Sequence, residues 1–144
     1  MADLKTLIRL NKFQLDEKRR ALAEIMTVIE NMQAQRLAQE EEIAREHKLA
    51  AESFEAGLDF PAYLKEAKHR LVLLDQAIAQ VRIKEQEMAA LVQEAFEELK
   101  RVEHIQESRL AEEEAERARA ERQELDEIGA IAYDRRRRED GGHQ

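Results

Sequence analysis

Four histidines, at positions 47, 69, 104 and 143, are the first place to look for chemistry, because imidazole both ligates metals and moves protons near neutral pH. Glu66 and His69 form a Glu-x-x-His pair, the spacing that supplies ligands to di-metal sites in four-helix proteins. Such a site needs a second pair, and His104 has Arg101 three residues before it. The pair therefore reads as a solvated helix face, and no metal is expected. Carboxylates are plentiful in Glu40-Glu41-Glu42 and Glu112-Glu113-Glu114. Acid–base catalysis needs a cleft that desolvates such groups and shifts their pKa, which a chain of this kind does not offer. Cys is absent, which removes disulfides, thiolate nucleophiles and Cys-based zinc sites. No Gly-rich phosphate loop occurs. No enzyme, no cofactor and no small-molecule substrate are expected.

Two further clusters suit binding. Arg135 to Arg138 is a basic run of the kind that attracts nucleic acid or an anionic lipid surface. Asp134, Glu139 and Asp140 flank it, and cations at a helix C-terminus also offset the macrodipole. The net charge of -8 argues against a nucleic-acid partner, which would need Lys and Arg spread over a large face. The second cluster is Leu125-Asp126-Glu127-Ile128-Gly129-Ala130-Ile131-Ala132-Tyr133. Leu125, Ile128 and Ala132 sit at helical spacing with Ile131 alongside, an apolar face with no evident partner in the chain. Such a face reads as a docking surface for another protein, in preference to a second copy.

The elements that position these clusters are helices. The chain has 144 residues, 39% of them charged and 4% aromatic, with one Pro and four Gly. That composition belongs to coiled coils and leaves little interior. Steps of three and four from Leu64 give Ala67, Leu71, Leu74, Ile78, Val81, Glu85, Met88, Val92, Ala95, Leu99, Val102 and Gln106. An apolar seam repeating every 3.5 residues for that distance needs a helix beside it. An earlier seam runs through Ile8, Asn11, Leu15, Lys18, Leu22, Ile25, Ile29, Met32, Arg36, Gln39, Ile43, Glu46 and Ala50. Asp3 suits its N-cap. Gly57 suits a helix C-cap and Pro61 the first turn of a new helix. The reading is all-α: a long antiparallel two-helix coiled coil in residues 1–134, with helices over about 3–55 and 61–133 and a turn over about 56–61. A charged, disordered tail follows over 135–144.

A turn there pairs seam positions whose numbers sum to about 120 or 121. Ile29 then meets Val92, Leu22 meets Leu99, and Arg36 meets Glu85, the one acidic break in the second seam. Leu74 falls opposite Glu46, and the second helix overhangs the N-terminus from about residue 118. The expected species is a monomeric hairpin, soluble and cytoplasmic, since no run approaches a membrane span and no signal peptide opens the chain.

Three stretches then resemble the flagellar export proteins of the FliJ family, related to the YscO-type proteins of injectisomes. They are Leu4-x-x-Leu7 leading to Leu15-Asp16-Glu17-x-x-x-Ala21-Leu22; Tyr63-Leu64 with Leu73-Leu74-Asp75-Gln76-Ala77-Ile78; and Glu121-Arg122-Gln123-Glu124-Leu125-Asp126-Glu127-Ile128 before the basic tail. The resemblance implies an antiparallel coiled coil similar to the two long helices of the rotary ATP synthase gamma subunit. It implies a non-enzymatic part in flagellar type III export, at the cytoplasmic face of the inner membrane. The implied partners are the hexameric export ATPase and the export-gate membrane protein, with export chaperones in addition. Carried over, the ATPase contact falls on Leu125, Asp126, Glu127, Ile128, Ile131 and Tyr133. The gate contact falls on Arg70, Leu74, Ala77 and Val81, where Arg70 and Val81 depart from the family's aromatic and His. The competing reading is a structural or dimerising coiled-coil adaptor with no link to an ATPase.

Overall fold

The computed structural model describes residues 3–141. They form two helices, α1 (Leu4–Glu52) and α2 (Phe54–Gly141), joined through Ser53. The helices pack as an antiparallel hairpin, as the two seams require. Arg9–Leu99 make one compact unit; the described residues up to Ile8 and those from Lys100 onward make a second.

Each helix start has its cap. The Lys5 backbone N–H donates to Asp3 Oδ1 at 3.4 Å and the Leu7 N–H to the Asp3 carbonyl at 3.0 Å. Asp3 thus satisfies donors that a helix start leaves open. Ser53 does more. Its N–H donates to the Leu49 carbonyl at 3.2 Å, completing α1, and its carbonyl accepts from Gly57 N–H at 3.0 Å, opening α2. Its Oγ lies 3.5 Å from the Ala56 N–H, the N3 position of a serine-capped helix. Glu55 in the first turn of α2 complements the positive helix end.

The reversal therefore lies at Ser53 and not over 56–61. Gly57 and Pro61 are both inside α2. The physical reason is that the seam continues upstream of Leu64 through Phe60 and Gly57, both half-buried. A Cβ at Gly57 would lie 3.1 Å from the Ala50 carbonyl oxygen, so the missing side chain is what allows the helices to close so near the turn. Pro61 sits two turns into the helix and removes one N–H from the ladder.

Moving the turn moves the register. Arg36 bonds Asp75, Arg70 bonds Gln39, and the His47 ring meets Phe60, so facing residues sum to about 107–111 and not 120–121. The expected Arg36–Glu85 and Ile29–Val92 pairs do not form. Arg36 instead places Nε 2.6 Å from Asp75 Oδ1, with Nη2 3.5 Å from Oδ2, and also pairs with Glu40 one turn on. These carboxylates hold the Arg36 pKa above its usual value, the Asp75 hydrogen bond and charge contributing most.

The seam itself is where periodicity placed it. All thirteen positions from Leu64 to Gln106 are buried or half-buried, and of the α1 seam only Glu46 is exposed. Ile8, Leu15, Ile29, Ala67, Ile78, Ala95, Leu99 and Val102 are the buried apolar residues. Burying a side chain of the size of Ile29 or Ile78 contributes about 1.5–3 kcal/mol. Within the second unit, Ile8 and Val102 are buried and Leu4, Leu7, Glu103 and Gln106 half-buried. From Glu107 to Gly141 every residue is exposed, so α2 runs uncovered from about 107 and not 118. Residues 135–141, expected to be disordered, continue the helix; His143 lies outside the described residues.

The register has a direct test in a chain without cysteine. Cysteines replacing Arg36 and Asp75 are expected to join within one chain through a short bis-maleimide, whereas cysteines at positions 29 and 92 are expected not to. Gel mobility after mild proteolysis reads both, and efficient joining of 29 to 92 would refute the register.

Candidate functional site

With no cleft between two helices, the candidate sites are surfaces. The first is the uncovered end of α2. Leu125, Ile128, Ile131 and Tyr133 are 68%, 62%, 59% and 66% exposed, although they bring large apolar surface into water. Leu125 and Ile128 share a face by their three-residue spacing, and Ala132 continues it one turn on. Asp126 and Glu127 are exposed between them. The stretch before it, Glu107 to Glu124, has no apolar seam. It holds helical form through Ala, Glu and Arg propensity and through spaced opposite charges.

The second surface lies on the hairpin. Gln35 and Gln39 of α1, with Arg70, Leu73 and Leu74 of α2, line a groove of about 430 Å³. Arg70 Nε donates to Gln39 Oε1 at 3.2 Å, and its guanidinium lies 5.9 Å above the Tyr63 ring centroid. Gln39 Nε2 is closed off from solvent and has no acceptor. Leu73 is 51% exposed beside it. An exposed leucine beside the Arg70 guanidinium is a surface able to take an apolar side chain and a polar group together.

Of the residues expected at the gate contact, Arg70 and Leu74 come together here. Ala77 and Val81 are half-buried further along α2 and do not line the groove. Leu74 borders Gln35 and Gln39, not Glu46, which instead lies beside Phe60 and Tyr63. Gln35, Gln39 and Leu73 were not identified from sequence. Leu73 sits one step off the 3.5-residue repeat, which is the signal that would have placed it outside the seam. His69 borders a separate surface hollow with Ala62, Lys65, Glu66 and Arg70, and among the described residues no three His, Asp or Glu side chains converge as a metal site.

Toward the turn the packing becomes aromatic. His47 meets Phe60 edge to face at 5.3 Å, and Phe60 meets Tyr63 at 6.3 Å. The Tyr63 hydroxyl is sealed from water without a well-formed hydrogen bond. Its pKa is raised, first by that desolvation, then by the Glu42 carboxylate within reach of the hydroxyl and by Glu46; Arg70 acts in the opposite sense. A raised folded pKa favours the neutral phenol. The resulting stability is complete below the ordinary tyrosine pKa of about 10 and is lost as pH climbs through the higher folded value. Tyr63→Phe is expected to keep the hairpin folded at neutral pH, because the ring packing against Phe60 is retained. It should also flatten the fall in melting temperature above about pH 10. Thermal melts of both proteins across that range provide the check, and parallel curves would show that the Tyr63 environment is wrong.

The sequence profile of the family described as "Flagellar FliJ protein" matches residues 1–138, nearly the whole chain. No curated protein and no solved structure matches the chain.

Proposed function

Because the chain belongs to the flagellar FliJ family and so is a component of the flagellar export apparatus, we propose that it couples the hexameric export ATPase to the membrane export gate without catalysing a reaction itself. The observation that carries this reading is the exposed face of Leu125, Ile128, Ile131 and Tyr133 on a bare length of helix. At about 1.5 Å per residue, the uncovered stretch from Glu107 to Gly141 reaches roughly 50 Å. An exposed apolar face on a bare helix of that length fits a recess in a partner such as an ATPase ring. Asp126 and Glu127 beside that face add polar contacts at its rim.

The gate contact falls on the groove of Arg70, Leu73 and Leu74, with Ala77 and Val81 supporting it from within α2. The exposed Leu73, beside Arg70 and Leu74 in the groove, supports this assignment. The protein then works in the cytoplasm at the inner membrane, reached through its partners. No described helix is long and apolar enough to cross a membrane. Export chaperones are further candidate partners. The adaptor reading loses its main support because the long seam is filled by the chain's own other helix.

Replacing Leu125 and Ile128 by Asp is expected to abolish stimulation of the cognate export ATPase while the circular dichroism spectrum keeps its helical signal. Undiminished stimulation would remove the 125–133 face from the ATPase contact. For the other surface, Leu73→Asp is expected to weaken binding to the purified cytoplasmic domain of the gate by about tenfold, a loss of roughly 1.4 kcal/mol. The melting temperature should change little, since Leu73 is half exposed and lies off the seam repeat. Calorimetric titration reads the affinity, and an unchanged value would move the gate contact elsewhere.

A further inference from the structure

The turn end of the hairpin carries apolar surface that the packing does not use. Phe54 is 83% exposed and Leu58 66%. They stand one helical turn apart on α2, and Pro61, also exposed, continues the same line. Ala50, Ala51 and Gly57 supply a small-residue floor, so that Phe54 and Leu58 border a shallow hollow of about 500 Å³ with Glu52 at its rim. Nothing in the reversal requires these two side chains. The turn is held by the Ser53 cap and by the close approach of Gly57 to Ala50, and the half-buried aromatic here is Phe60, against His47.

Carboxylates outnumber cations around the hollow, with Lys48 and Lys65 standing just outside it. From Leu49 to Leu64 the chain has three carboxylates, Glu52, Glu55 and Asp59, and no Lys or Arg. None of the three takes part in an ion pair among the described residues. These carboxylates would repel an anionic lipid surface, and in a second copy the same end would bring like charges together.

We propose that this turn-end hollow is a docking site for a basic amphipathic helix of a partner protein. The partner helix seats a large apolar side chain between Phe54 and Leu58 and sets its Lys or Arg residues against Glu52, Glu55 and Asp59. The site is distinct from the 125–133 face and from the groove of Leu73, and it does not depend on the reading of either.

The test titrates the full-length protein into a fluorescein-labelled amphipathic helix of Leu and Lys, with a Leu and Glu helix of the same pattern as the control. Saturable one-to-one binding of the Leu and Lys helix is expected. It should weaken by about tenfold or more in Phe54→Ser with Leu58→Ser, and in Glu52→Gln with Glu55→Gln and Asp59→Asn. All five side chains are exposed, so the helical signal and the 36-to-75 crosslink should be retained. Equal affinity for the two helices, or affinity unmoved by either set of substitutions, would overturn the proposal. Stimulation of the export ATPase by the Phe54 and Leu58 variant should match the unaltered protein, which separates this site from the proposed coupling role.

Discussion

A helix of 88 residues does not persist in water by propensity alone unless its sequence supplies local pairs or something covers its apolar side. In α2 both conditions hold, in succession. As far as Gln106 the helix has an apolar seam and the seam is covered; beyond it the seam stops and charged i,i+4 neighbours take over. The change of regime falls where cover ends. That coincidence ties composition to architecture. A seam carried past Gln106 would leave a long apolar stripe in water, and a charged stretch before it would put carboxylates and guanidinium groups between the helices.

The covered part is itself uneven. The buried aliphatic side chains of α1, Ile8, Leu15 and Ile29, all lie before residue 32, whereas Arg36, Gln39 and Glu46 put polar groups at the seam nearer the turn. There the interface is held by directional contacts: the Arg36 fork on Asp75, the Arg70 bond to Gln39 and the ring packing of His47, Phe60 and Tyr63. Asp75 is exposed and Arg36 only half-buried, and ion pairs with this much access to solvent add little stability. Their value is in specifying which residues face one another. Glu85, half-buried in the second seam with no ion pair among the described residues, marks the opposite case, a seam charge that fixes no facing residue.

The fold class and both seams were legible in the sequence because a 3.5-residue repeat is a one-dimensional signal, written in a single helix and independent of its partner. The turn was not legible by the same means. Gly57 and Pro61 are the strongest local punctuation in the chain, yet Gly57 serves close packing against Ala50 and Pro61 is absorbed two turns into a helix. Ser53 carried the true signal, a capping serine followed by an acidic residue two positions on, and its chemistry is quieter than that of proline. Because register depends on the turn, that one displacement shifted every expected cross-helix pair, Arg36 included. The exposed 125–133 face survived the shift, since its exposure depends only on lying beyond the cover. The groove at Leu73 could not be seen, because it depends on which α1 residues stand opposite.

A reversal made of one residue also constrains how such a chain can change length. An insertion of one or two residues in either arm would rotate the rest of that arm's seam out of the interface. Only gains or losses that preserve the repeat, matched in both arms about Ser53, keep the pairing between them. After Gln106 no facing residue has to be matched, and length there is free to vary. The number of residues between Gln106 and the apolar face at Leu125 is therefore what insertions and deletions can adjust most readily without disturbing the packed core.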